Sequence, residues 1–214
     1  MDPIAARRLE EKERRRNDIL DAAERVASAT GLEGLTMDQV ARDARLSRGL
    51  LYVYFQDKPD LVAGICERAL TGLHARFAAL LDGTKTGLDQ VVAMGRAYVT
   101  FAAECPLQFE ILARFEATDA SATADGSNHG ACLAVGARVH ALLTAALETG
   151  MRDGSIARSA GSPSTIALSL WAMTHGTIQV ASMKRAVLTR QGVTPEALVE
   201  QTLRMASISL KRGE

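Results

Sequence analysis

The sequence predicts an all-α protein of about nine helices. Three observations carry this expectation. No segment alternates apolar and polar residues strictly enough for a strand. Apolar residues recur at helical spacing instead, as in Leu61, Ile65, Ala69, Leu73 and Phe77. Helix-start signals, in which Ser, Thr or Asp precedes an apolar run or a proline, recur along the chain.

The first helix buries Ile19, Ala22, Ala23, Val26 and Ala27, and Gly31 ends it in a left-handed conformation. Thr36 and Gln39 match a capping box, so a second helix starts at Met37 and buries Met37, Val40 and Ala41. Ser47 caps a third helix, from Arg48 to Val53, with Leu46, Leu51 and Phe55 turned inward. Asp57 caps a fourth, with Pro59 in its first turn. Its five-residue apolar stripe carries it to Leu81, and ~23 residues at ~1.5 Å each span ~35 Å. The turn Asp82-Gly83-Thr84-Lys85-Thr86-Gly87 marks a domain boundary. Helices over 88–104 and 106–117 follow, then a small, polar loop over 118–130. A helix over 131–152 stops at Asp153-Gly154. Ser162-Pro163 and Thr194-Pro195 open the last two, which reach Lys184 and Lys211.

Composition excludes several classes. The 214 residues are 47% hydrophobic, enough for one or two domains with a sizeable core. Net charge is zero, and residues 1–58 carry eleven basic and eleven acidic side chains. That balance argues against a general polyanion binder and leaves room for a reader that places charge locally. Cys66, Cys105 and Cys132 lie far apart without a CxxC pair, as expected of reduced thiols in a cytosol. No apolar run approaches the ~18 residues of a bilayer span, so no membrane partner is expected. Residues 1–13 read as a flexible lead-in of mixed charge, with Arg14, Arg15 and Arg16 placed to touch phosphates.

The segment Thr36 to Phe55, TMDQVARDARLSRGLLYVYF, reads as helix, tight turn, helix. In a helix-turn-helix the first turn of the second helix meets base edges in the major groove. Ser47, Arg48, Gly49, Leu50, Tyr52 and Tyr54 have suitable chemistry. Arg48 can engage guanine with two hydrogen bonds. Gly49 lets the backbone come close, and Tyr52 and Tyr54 can donate to phosphate oxygens. Thr36 and Lys58 stand at two further helix starts and can grip phosphates. Singly, each of these residues reads as an ordinary surface or half-buried group; together they are specific.

Residues 14–74 resemble the DNA-binding domain of the TetR (tetracycline repressor) family of bacterial transcriptional regulators. The resemblance is carried by Ile19-Leu20 with Ala22-Ala23, Gly31, Leu35-Thr36, Val40-Ala41, Leu46-Ser47, Arg48-Gly49, Leu51-Tyr52, Phe55, Lys58 and Leu61. It implies that Ser47, Arg48, Gly49, Leu50, Tyr52 and Tyr54 face DNA, with Thr36 and Lys58 on phosphates. Three positions depart from the family pattern. Arg45 stands where a turn glycine is usual, at a cost of about 1 kcal/mol if left-handed, and adds a further phosphate contact. Tyr54 stands where histidine is common, and Pro59 where an acid is common. Residues 83–214 would then form the family's divergent ligand-binding and dimerisation domain.

Within that half, Met94, Tyr98 and Phe101, then Phe109, Leu112 and Phe115, supply an apolar effector pocket, with His140, Trp171 and His175 as polar handles. Ordinary core packing is the competing reading for each. No metal is expected, because His140 and His175 lack acidic neighbours at ligand spacing and no HxxxH pair occurs. Ile166, Leu170 and Ile178, with Leu198, Met205 and Ile208, suit a four-helix dimer interface. The expected protein is a cytoplasmic homodimeric regulator, a repressor more than an activator, released from a palindromic double-stranded operator by an apolar or aromatic small molecule. No cofactor or catalytic residue is expected. Two alternatives differ in kind. A helical enzyme would use Cys105 or Glu110, neither of which has a partner at recognisable spacing. A protein-interaction adaptor would leave no footprint on any duplex.

Overall fold

The computed structural model describes residues 3–81, 83, 85–115 and 127–211, and regular structure among the described residues is helical. The elements are α1 (Pro3–Gly34), α2 (Met37–Asp43), α3 (Arg48–Tyr54), α4 (Lys58–Ala78) and α5 (Gly87–Glu104). They continue as α6 (Pro106–Phe115), α7 (Asn128–Asp153), α8 (Pro163–Met183), α9 (Arg185–Arg190) and α10 (Pro195–Leu210).

Three boundaries differ from the sequence expectation. The helix α9 was not expected; its six residues are too few to show a period, and no side chain caps it. The stretch expected as a flexible lead-in is helical from Pro3. It is rich in strong helix formers, and Glu11 pairs with Arg14 at 2.6 Å and Arg15 at 3.6 Å. Of the expected loop over 118–130, residues 128–130 already belong to α7, and residues 118–126 lie outside the described residues, as do Asp82 and Thr84 of the expected turn.

The chain forms two compact units. One comprises Met1–Ala69 with Leu107–Ala134, the other Leu70–Pro106 with Val135–Glu214. Expectation from sequence was a single boundary near residue 83. Instead α4 and α7 each contribute to both units, and α6 groups with the N-terminal helices.

In the first unit, Ile19, Leu20, Leu35, Val40, Leu51, Phe55, Leu61 and Ile65 are fully or almost fully buried. Six of these side chains lie on α1 to α4, and Leu35 and Phe55 lie in the links between them. Gly64 allows α4 to approach closely, because a Cβ there would stand 2.8 Å from the Phe55 ring and 3.2 Å from Leu20. Arg16 lies over the Phe55 ring at 5.7 Å and pairs with Glu67 at 2.6 Å. Its guanidinium also donates to Asn128, which in turn donates to Asp60 at 2.9 Å.

In the second unit, α5 packs against α8 and α10, and α8 against α10. Leu88, Val91, Met94, Tyr98 and Phe101 supply the buried side of α5, and Leu203, Ala206 and Leu210 that of α10. The start of α5 abuts α7 so closely that a Cβ at Gly87 would overlap the backbone of Gly150. Asp153 ties this corner by accepting from the amides of Gly87 and Ser155, each at 2.8 Å. These bonds, the Ser155 hydroxyl foremost, hold its carboxyl below the usual range.

One helix, α7, passes a test of length and average hydropathy although it holds no uninterrupted apolar run of ~18 residues. This helix is 26 residues long and has a window of mean hydropathy 1.5, so length and composition alone would allow it to cross. Gly, Thr, His and Arg interrupt the apolar residues of α7, while Ala, Val and Leu keep its average high. In the structure Cys132, Ala146 and Leu147 of α7 are fully buried in protein.

Candidate nucleic-acid interface and effector cluster

The helix-turn-helix is built by local chemistry. Thr36 Oγ1 accepts from the Gln39 amide at 3.3 Å, and Gln39 Oε1 accepts from the Thr36 amide at 2.9 Å, which completes the predicted capping box. Burial of Met37, Val40 and Ala41 then turns Asp38 and Arg42 outward. The turn closes through Arg45 N to Arg42 O and Leu46 N to Ala41 O. Arg45 adopts a left-handed conformation with φ 56° and is exposed. For a residue with a Cβ this costs roughly 1–2 kcal/mol. Ser47 Oγ caps α3 by accepting from the Leu50 amide at 3.2 Å.

On α3, Leu51 and the following Phe55 are fully buried, and everything between them faces outward in varying degree. Arg48, Gly49, Leu50 and Tyr52 are exposed, Tyr54 is half-buried, and Val53, not singled out from the sequence, is 76% exposed. Arg48 is not a free cation. Its Nε stands 2.8 Å from Asp38 Oδ1. The Tyr52 side chain, then the Asp38 charge, holds its guanidinium above the usual range. Lys58 is half-buried, and its Nζ donates to the Glu33 carbonyl at 3.0 Å, closing the end of α1. Sequence reasoning missed Asp38. The signal was present, since the capping box fixes which face of α2 points out.

The nine residues expected to line an effector pocket divide between the units. Phe109, Leu112 and Phe115 belong to the first, where Phe109 and Leu112 are buried and the Phe115 ring meets His129 at 4.4 Å. Met94, Tyr98, Phe101, His140, Trp171 and His175 belong to the second. Four of these form one polar–aromatic cluster. The Tyr98 hydroxyl lies 2.7 Å from His175 Nδ1. Trp171 stacks at a tilt on His175 at 5.6 Å, and the His140 ring meets it edge-on, also at 5.6 Å. Tyr98 also lies parallel to Phe101 at 6.3 Å, and Arg76 sits over Phe101 at 5.9 Å. Burial pushes both His140 and His175 below the ordinary histidine value. Both rings are therefore neutral near pH 7, and a neutral His175 Nδ1 can accept the Tyr98 proton.

The residues expected at a dimer interface also divide. Ile166 and Ile178 are buried inside the protomer, Leu170 and Leu198 are intermediate, and Met205 and Ile208 are 57% and 58% exposed. Leu168, Val180 and Met183 of α8 are exposed apolar residues that the sequence pattern did not single out. The α8 helix is apolar on more than one face, so its period cannot say which face is covered.

Comparison with known proteins agrees with this architecture. Residues 19–65 match the family described as bacterial regulatory proteins, tetR family, and residues 91–206 match the tetracyclin repressor-like C-terminal domain. The HTH-type transcriptional regulator HbdR of Aromatoleum sp. (strain CIB) is 44% identical over 86 residues, covering 40% of this chain and 38% of HbdR. The sequence relatives are matched over only 38% to 52% of their lengths. A protein of unknown function from Rhodococcus sp. RHA1 superposes with a TM-score of 0.73 at 21% identity, covering 92% of this chain and 95% of that one. AibR, solved in complex with isovaleryl coenzyme A and operator DNA, gives 0.64 at 18% identity, covering 89% and 97%. At these identities the likeness to solved structures is one of fold. The C-terminal match alone spans more than half of the sequence and, with the N-terminal match, means that this chain belongs to the TetR family.

Proposed function

We propose that the protein is a homodimeric transcriptional regulator, a repressor, that binds a palindromic DNA operator and is released by a small molecule. It acts in the cytoplasm and carries out no catalytic step. The observation that carries this reading is the outward face of α3, where Arg48, Gly49, Leu50 and Tyr52 are exposed on a helix pinned by Leu51 and Phe55. In this reading Arg48 reads a base edge, while Ser47, Tyr52, Tyr54, Thr36, Arg45 and Lys58 position the backbone. The protomers pair through the exposed apolar residues of α8 and α10, and a palindromic operator calls for two α3 helices one DNA turn, ~34–36 Å, apart.

The effector has an apolar or aromatic body and one polar group, which exchanges for the Tyr98–His175 hydrogen bond. Of the isovaleryl coenzyme A held by AibR, the short branched acyl group is the part that fits this description. Release follows if the effector binds the DNA-incompetent state more tightly.

The test is binding of Arg48→Ala with Tyr52→Ala to a duplex enriched by the unmodified protein. Losing a bidentate base contact of ~1–3 kcal/mol predicts at least a ~10-fold loss of affinity. Unchanged affinity and salt slope would remove α3 from the DNA face.

A further inference from the structure

A carboxylate on a surface that meets phosphates weakens binding to every duplex unless it is doing something else. Asp38 is such a group. It lies in the first turn of α2 with its side chain 50% exposed, and Oδ1 is 2.8 Å from Arg48 Nε. Arg42, on the same helix, directs its Nε to the backbone carbonyl of Asp38 rather than to the carboxylate. Tyr52 follows one turn further along α3, with its side chain exposed. Asp38 and Arg48 thus come from two helices whose inner faces are fixed by Met37, Val40, Ala41 and Leu51.

An arginine carries five N–H donors on a rigid plane. An ion pair at Nε orients that plane and leaves the Nη donors, which match guanine O6 and N7. Without the contact, Arg48 is a flexible, 65% exposed side chain that can turn to a phosphate on any sequence. Ordering it before binding also lowers the entropy lost on the DNA.

We infer that Asp38 is a specificity-determining positioning residue: its carboxylate aims the Arg48 guanidinium so that the Nη donors read one guanine in each half-site. This rests on the proposal that α3 reads DNA. Asp38 lowers affinity for all sequences through its charge and raises the difference between right and wrong bases through orientation.

The experiment is selection from a randomised duplex pool with the full-length protein, its Asp38→Ala, Asp38→Asn and Arg48→Ala variants, and a scrambled duplex as control. Unmodified protein should enrich a palindrome with a strongly preferred guanine in each half. Asp38→Ala should lower that preference by ~10-fold, at the same position where Arg48→Ala abolishes it. Asp38→Asn keeps an oxygen acceptor and should retain most of the preference. Both Asp38 variants remove a negative charge and should bind the scrambled duplex more tightly. Undiminished guanine preference in Asp38→Ala would overturn the inference. So would a loss at a position different from that of Arg48→Ala, which would make Asp38 a base reader in its own right. Equal loss in Asp38→Asn and Asp38→Ala would also overturn it, since charge rather than orientation would then be responsible. If the unmodified protein enriches no motif, the DNA-reading assignment itself falls.

Discussion

In the first compact unit the helices are joined by directional polar ties: Arg68 reaches both Asp21 at 2.5 Å and Glu24 at 2.6 Å, Arg25 meets Asp43 at 2.6 Å, and Arg114 of α6 meets Glu33 at 2.5 Å. The second unit has such ties too, Arg96 to Glu200 and Arg76 to Glu104, each at 2.7 Å, but adds close backbone and side-chain approaches. Gly87 lies against Gly150, Gly95 against Leu203, and a neutral His175 is buried beside Tyr98. The contrast separates two kinds of requirement. A groove-reading surface must hold named side chains at fixed angles on an exposed face. A cluster able to take a small molecule needs apolar volume and a few buried polar groups, which many sequences can supply.

The largest effect should come from the centre of the first unit. Phe55→Ala empties a fully buried site and should cost ~3–5 kcal/mol. Amide exchange should accelerate in α2 and α3 more than in α8 and α10. Equal acceleration in both units would break the comparison.

The second unit should be vulnerable to added volume instead. Gly87→Ala places a methyl against the Gly150 backbone and should destabilise by ~1–3 kcal/mol or more in chemical denaturation. A variant as stable as the unmodified protein would show that the α5–α7 corner is not close-packed.

Tyr98→Phe sharpens the same contrast. It removes the hydroxyl from His175 and leaves a buried ring nitrogen without that partner, at a cost of about 1–3 kcal/mol. The unit should also respond to acid. Burial lowers the folded-state values of His140 and His175, so as pH falls through ~6.5 the unfolded chain takes up protons first. The stabilisation associated with the neutral rings is complete above ~6.5 and is lost as pH falls from there towards the lowered folded values. Melting curves followed by the single tryptophan, Trp171, should show this slope, and histidine titration by NMR should place both rings below the ordinary value.

The smallest effect should be at a cap. Thr36→Ala removes the acceptor for the Gln39 amide and should cost ~1 kcal/mol, most of it confined to α2. A loss as large as that of Phe55→Ala would mean that the polar joints, rather than the core, govern the first unit.

The sequence by itself determined the helix-turn-helix in detail. The Thr36–Gln39 box, the Ser47 cap, the Asp57 cap and the stripe from Leu61 to Phe77 are all local signals, read within one or two helical turns. They are legible because each residue type has few other reasons to stand where it does. Only the tertiary structure decided what depends on residues distant in sequence. It grouped α6 with the N-terminal helices, set Asp38 against Arg48, engaged Lys58 with Glu33, turned Ile166 and Ile178 inward, and gathered Tyr98, His175, Trp171 and His140. A helical period says which residues share a face; it does not say which face meets which neighbour, because apolar contact is non-directional and many pairings bury similar areas.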